Sequence, residues 1–234
     1  MQTMFFNTLI KKCLLVGLVL LTQFAYSQTG GQNNMASRIL NADYLNKSGE
    51  SLSEVKGSPF LQDNWQKAYL YLNGGGKVYV EKMKLNGYTG EVHYIDNKGA
   101  ELATLEGSIT TIDLLNPKDT AQVIRSYQAF ADPNKKNQIL FYELHNKGQF
   151  QMVSRLEKFI FTENYDPLKG KTDQYFKVNT VYGIAMNGIL SPISEISYAS
   201  VTNAHPALLQ KAASAKKIKL KSINDVVLFL KELK

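Results

Sequence analysis

The stretch 70-LYLNGGGKVYVEKM-83 decides between two kinds of fold. Three glycines before a lysine can cradle a phosphate when a strand leads in and a helix N-terminus follows. Here the run is followed by 77-KVYVEKMKL-85, which is β-branched and alternating, so no helix is expected to receive a phosphate. Asn73 and the glycines at 74, 75 and 76 instead supply the positive φ of a tight connection between two antiparallel strands.

The same text continues in both directions. Strands are expected at 69–72, 77–85, 91–96, 101–105 and 108–114, separated by Asn86-Gly87 and Asn97-Lys98-Gly99. A second meander is expected at 121–130, 138–144, 150–161 and 174–186, with Asn146-Lys147-Gly148 repeating the chemistry of 97–99. In 175-YFKVNTVYGIAM-186, Phe176, Val178, Tyr182, Ile184 and Met186 share a face opposite Lys177 and Asn179. In 150-FQMVSRLE-157, Phe150, Met152 and Leu156 oppose Gln151, Arg155 and Glu157. One apolar and one polar face imply an antiparallel sheet with a single buried side.

After Pro206 the period changes. Residues 207–215 have helical composition, and Ser222 can cap 223-INDVVLFLKEL-233, where Ile223, Val226, Val227, Leu230 and Leu233 form an apolar stripe. The expected fold is mainly β: an antiparallel meander, sandwich or partly open barrel, closed by two short C-terminal helices.

Residues 1–27 read as a signal peptide. Lys11 and Lys12 form its basic region, 13-CLLVGLVLLTQFAYS-27 its apolar region, and Ala25 and Ser27 the small residues before cleavage. The apolar run is too short for a permanent span, so an exported chain that is not integral to the membrane is expected, in the periplasm, outside the cell or at its surface. Cys13 is the only cysteine and leaves with that segment, which excludes disulfides and thiolate chemistry from the mature chain. Residues 28–56 are a polar leader, 57–205 the β domain and 206–234 a basic helical end packed on it.

The formal charge of +7 is local. Two lysines lie in the signal, and residues 28–210 hold 18 Lys/Arg against 18 Asp/Glu. The last 24 residues carry seven lysines against two acids, which accounts for the mature net of +5. A nucleic-acid-binding body is therefore not expected, although the basic end can meet an anionic envelope component or protein.

The order 57-GSPFL-61, Trp65-Gln66-Lys67, 83-MKLNGYTGEVHYID-96, 140-LFYELHNKGQFQMVSRLEKFIF-161 and 216-KKIKLKSINDVVLFLKEL-233 resembles an uncharacterised family of exported, β-rich proteins of Gram-negative bacteria. The resemblance implies an address and an architecture, including a basic strand before the closing helix. It implies no activity and no functional residues.

Complete catalytic sets are missing from the sequence. The 170-GKT-172 tripeptide has Tyr165 where a phosphate loop needs glycine, and a strand follows it. Ser53–Lys56 and Ser214–Lys217 have the Ser-x-x-Lys spacing without its companion motifs. His93 shares a strand face with Glu91, but zinc needs three or four ligands, so His93, His145 and His205 read as ordinary surface histidines. No metal and no cofactor is expected.

The expected function is a non-enzymatic binding or structural module of the bacterial envelope. Its contacts are assigned to Trp65, Tyr88, Lys216, Lys217, Lys219 and Lys221. The lysine segment reads equally as an edge strand with a solvated face. The alternatives are a hydrolase using carboxylates such as Glu91, Glu143 or Glu157, and a carrier of a small apolar or glycan ligand.

Overall fold

A computed structural model describes residues 52, 55–163, 172–213 and 218–233. The 1–27 segment, nearly all of the 28–56 leader, the tripeptide at 170–172 up to Lys171, and Lys216 and Lys217 lie outside the described residues. So do three of the four residues that define the Ser-x-x-Lys matches, leaving Lys56.

The described chain is mainly β, with eleven strands in one mixed sheet that does not close on itself. They are β1 Val55–Lys56, β2 Gln66–Leu72, β3 Lys77–Leu85, β4 Val92–Ile95, β5 Glu101–Ala103 and β6 Ile109–Leu115. The series continues with β7 Val123–Asp132, β8 Gln138–Leu144, β9 Phe150–Thr162, β10 Gln174–Met186 and β11 Ile189–Ile193. The spatial order is β1-β10-β9-β8-β7-β6-β2-β3-β4-β5, with β11 also on β10. Two meanders are thus sewn together by the antiparallel β2–β6 pair. The all-antiparallel expectation needs one correction, since β1 runs parallel to β10.

The glycine run behaves as a turn. Gly74, Gly75 and Gly76 all have φ near +100°, at 98°, 96° and 107°, and Leu72 N–H donates to the Gly76 carbonyl at 3.1 Å. Around it the register places apolar partners on one face. Ala68 stands between Val80 and Leu114, and Leu70 opposite Ile112, all buried.

A strand that the turn signals also encode is β11. Asn187 and Gly188 both take positive φ, 52° and 79°, and reverse β10 into 189-ILSPI-193. Pro192 hides this strand from a propensity reading, yet on an edge its missing N–H costs nothing.

The single buried side expected of β9 does not hold. Phe150 and Met152 pack under the helices, while Val153 on the opposite face joins Phe130, Leu140, Tyr142, Ala185 and Leu190 in a second apolar cluster. Arg155, expected in solvent, is buried on that second side. The reason is curvature. The sheet curls until β11 lies against β7, which encloses the face that a flat sheet would leave wet.

Three short helices near the C-terminus cover the other face, one more than expected. They are α1 Tyr198–Asn203, α2 Pro206–Ala213 and α3 Ile223–Glu232. Ser197 caps α1, and Ser222 with Asp225 forms a reciprocal capping box on α3. Val201, Leu208, Ala212, Val226, Phe229 and Leu230 form the buried side of the layer. Residues 218–221 are not a strand, contrary to the basic strand that the resemblance implies. Their alternation survives in extended form, with Leu220 buried and Lys219 and Lys221 exposed.

Candidate functional site

The strands β9 and β10 pair over thirteen residues each, from Phe150↔Met186 to Thr162↔Gln174. Their neighbour β8 follows β9 only at Glu143↔Ser154 and Leu144↔Val153. Beyond Ser154 the two diverge, and the 86–90 turn fills the gap. Asn86 Oδ1 accepts from the Tyr88 and Thr89 amides at 2.9 and 3.1 Å, shaping the turn, and Lys158 N–H donates to the Gly87 carbonyl at 2.9 Å. The outer half of the β9–β10 hairpin is therefore an arm that leaves β8, braced at Lys158 by Gly87 and at its outer end by β1.

The arm is apolar where it should be wet. Leu156, Phe159 and Phe161 on β9 and Val178 on β10 are exposed to 39%, 39%, 40% and 50%. The register puts Leu156, Ile160, Phe176 and Val178 on one face and Phe159, Phe161, Tyr175 and Lys177 on the other. Lys177 Nζ lies 3.3 Å from the Phe161 ring centroid, a cation on an exposed aromatic face.

A buried ionic cluster clamps the root. Asp132, 1% exposed, accepts the Tyr142 hydroxyl at 2.5 Å and the Asn134 amide at 2.9 Å. Arg155, 7% exposed, reaches the same carboxylate at 3.4 Å and Glu157 at 3.6 Å, and Lys135 meets Glu157 at 2.7 Å. Burial, followed by the Asp132 hydrogen bond, holds the Tyr142 phenol protonated far above its ordinary range. The cluster fixes the angle at which the arm leaves the body, because its members come from β7, β8, β9 and the 133–135 turn. Sequence reading missed Asp132 and Arg155. The one available signal was an acid closing β7 and an arginine within the apolar run of β9.

Of the residues expected to make contacts, Tyr88 belongs to this arm: its ring packs edge-on against Phe176, 5.6 Å between centroids. Trp65 does not. It is half-buried just before β2, with Lys84 Nζ 4.7 Å from its ring centroid and 5.2 Å from that of Phe60. Lys219 and Lys221 lie on the segment entering α3. Among the described residues, Trp65, Tyr88 and the Lys219/Lys221 pair therefore stand on three different segments.

The histidines also depart from expectation. His93 is fully buried on β4, its Nδ1 2.9 Å from Glu101 and its Nε2 3.8 Å from Glu91, with Phe60 edge-on at 4.8 Å. Burial under Phe60 makes it a core histidine between two acids, not a surface one. His145 is half-buried, and its Nε2 lies 2.7 Å from the Ser154 hydroxyl. Burial pushes its imidazole below the ordinary value. A serine beside a neutral histidine has the outline of a nucleophile and its base. Ser154 is itself buried in the middle of a strand, so the pair is closed to a substrate and ties β8 to β9. His205 accepts the Ala207 amide on its Nδ1 at 3.1 Å, capping α2.

The three carboxylates proposed for hydrolysis are not brought together. Glu91 accepts the Thr89 hydroxyl at 2.8 Å, Glu143 faces Arg125 at 3.9 Å, and Glu157 is shared by Lys135 and Arg155. A shallow cleft, open to solvent, lies between the 89–91 turn, the 104–109 loop and the start of β8. Glu91 and Glu106 line it, but neither Glu143 nor Glu157 does. Glu106 accepts the Ile139 amide at 3.1 Å, a structural use of that acid. Among the described residues, no group of three His, Cys, Asp or Glu side chains could hold a metal ion. No helix there is long and apolar enough to cross a membrane.

Comparison with protein families, with curated proteins and with solved structures finds no match to this chain.

Proposed function

We propose that the protein is a non-enzymatic binding module of the bacterial envelope, exported to the periplasm or cell surface, which engages a protein partner through the β9–β10 arm. One observation carries this: the arm pairs chiefly with itself while leaving large apolar residues on both faces in water. Apolar surface of that kind, projected from a rigid body, is what a partner's own apolar surface recognises. The buried ionic cluster supports the same reading, since a docking element gains affinity from being held in place before binding. The approach of β11 to β7, and of the 86–90 turn to β9, favours a partly open barrel over a sandwich as the body. A second contact, with an anionic envelope component, is supported by the exposure of Lys219 and Lys221 beside the buried Leu220.

The test is capture. The tagged full chain is produced in its own host and cross-linked, and the bound molecules are identified by mass spectrometry. A stoichiometric protein partner should be lost from Phe159→Ser/Phe161→Ser and retained by Lys219→Gln/Lys221→Gln. Equal capture by the arm variant, or an empty result with abundant folded protein, defeats the proposal.

A further inference from the structure

The outer edge of β10 is occupied at both ends and open in the middle. β1 pairs with Gln174 and Tyr175, and β11 pairs with Tyr182 to Met186. Between them, residues 176-FKVNTV-181 have no ladder partner on that side and no other backbone hydrogen bond among the described residues. β1 cannot extend into the gap, because Gly57 turns away at φ 94° with its α-carbon beside Phe176. β11 cannot extend either, because the chain leaves the ladder at Ile193 toward α1. The result is a slot six residues long, about 20 Å at the rise of a β-strand.

An open ladder specifies its complement more closely than an apolar face does. Its outward N–H and C=O groups repeat at the strand spacing, and only another extended backbone meets them in series. Two other edges of this sheet are guarded: β5 is three residues long, and β11 carries Pro192. The slot has no proline and no bulge, and no helix among the described residues pairs with or covers it. Its rows also state a side-chain preference. Val178 at its centre is half exposed, and Phe176 lies on the same face. On the opposite face Lys177 is the cation within the slot, with Glu157, opposite Asn179, engaged by Lys135 and Arg155, whereas Lys158, paired with Val178, shares the apolar face.

We propose that residues 176–181 receive an extended segment of a partner protein as an added strand, one with apolar residues at alternate positions and carboxylates between them. This rests on the arm being the contact of a binding module. It adds the mode of recognition and the chemistry of the recognised segment.

The probe is a fluorescent peptide, acetyl-TVEVEVT-amide, with acetyl-TVKVKVT-amide as its charge-reversed counterpart, titrated into the full chain by anisotropy. Amide hydrogen exchange is followed in parallel. The acidic peptide should bind, slow exchange at 176–181, and be preferred over the basic one by up to about fivefold, as one exposed ion pair with Lys177 allows. Lys177→Glu should abolish or reverse that preference without changing the fold. A variant with N-methylated amides in the probe should not bind.

Several results overturn the inference. One is no binding of either peptide up to about 1 mM, the weak end of measurable affinity. Another is binding with unchanged exchange at 176–181, which places the peptide on the arm's faces and leaves the binding-module proposal standing. Slow exchange at 176–181 in the chain alone points to its own segment as occupant, and slowing that grows with protein concentration points to a second copy. Either finding also rejects a partner strand. Failure of the capture experiment, with the peptide result intact, instead defeats the broader proposal.

Discussion

Arg155 offers the sharpest test of how the arm is held. Its Nη2 stands 3.4 Å from Asp132 Oδ2, longer than a good charge-assisted bond, and its Nε has no hydrogen-bond partner. The direct bond is therefore weak, and the value of Arg155 lies in neutralising a carboxylate that has almost no contact with water. Arg155→Met removes the charge and leaves Asp132 with the Tyr142 hydroxyl at 2.5 Å and the Asn134 amide at 2.9 Å. Removing one partner of a buried pair costs 3–5 kcal/mol when nothing else compensates, so with two bonds surviving the expectation is about 2–3 kcal/mol. Asp132→Ala is worse. It strips the acceptor from a buried tyrosine hydroxyl, removes the cap of the 133–135 turn and leaves Arg155 with Glu157 alone at 3.6 Å. About 4 kcal/mol follows from these losses together. The double variant buries neither charge and should cost no more than Asp132→Ala, giving a coupling of about 2–3 kcal/mol. Urea unfolding followed by the fluorescence of Trp65, the single tryptophan, and by far-UV circular dichroism reads all four proteins. Additive single variants, or Arg155→Met within about 0.5 kcal/mol of the parent, would refute the clamp.

Four further outcomes follow from the same contacts. Ser222→Ala removes half of the α3 capping box and should cost about 1 kcal/mol in thermal or urea unfolding. Gly183→Ala places a methyl 2.6 Å from Leu190 Cδ1 and 3.3 Å from the Ser191 carbonyl, and should cost about 1–3 kcal/mol through overpacking between β10 and β11. The His145 imidazole is held below its ordinary 6.5 by burial, so the unfolded chain binds the proton more readily. Its stabilising contribution should be complete above pH 6.5 and be lost as pH falls through the folded value, and His145→Gln should flatten that part of the profile. At the alkaline end, burial raises Tyr94 to about 12 and Tyr142 further. The folded chain then holds protons that the unfolded chain releases near 10, so stability should decline above pH 10, with Tyr142→Phe reducing the slope.

Local chemistry was enough to read most strands and their turns. β3, β8 and β10 fall at their expected bounds, because alternation and Asn/Gly connections depend on neighbours in sequence. The same holds for α3, whose cap at Ser222 and apolar stripe are both local signals. The sequence also located Tyr88 in a turn, but could not tell that this turn would meet Phe176, nearly ninety positions later.

What only the tertiary structure decided is long-range. The β2–β6 pairing, the parallel β1–β10 pair and the curl that brings β11 to β7 join segments whose patterns suit many partners equally. That curl also reversed the expectation for Arg155, whereas His93 is covered by the Phe60 ring, edge-on at 4.8 Å. A polar residue in an alternating strand signals solvent only while the opposite face stays open, and here the sheet folds over it. The open slot on β10 has no sequence signature at all, since it is defined by where β1 and β11 stop. Strand identity is written in side chains that follow one another, whereas an edge exists only once the whole sheet has chosen its order.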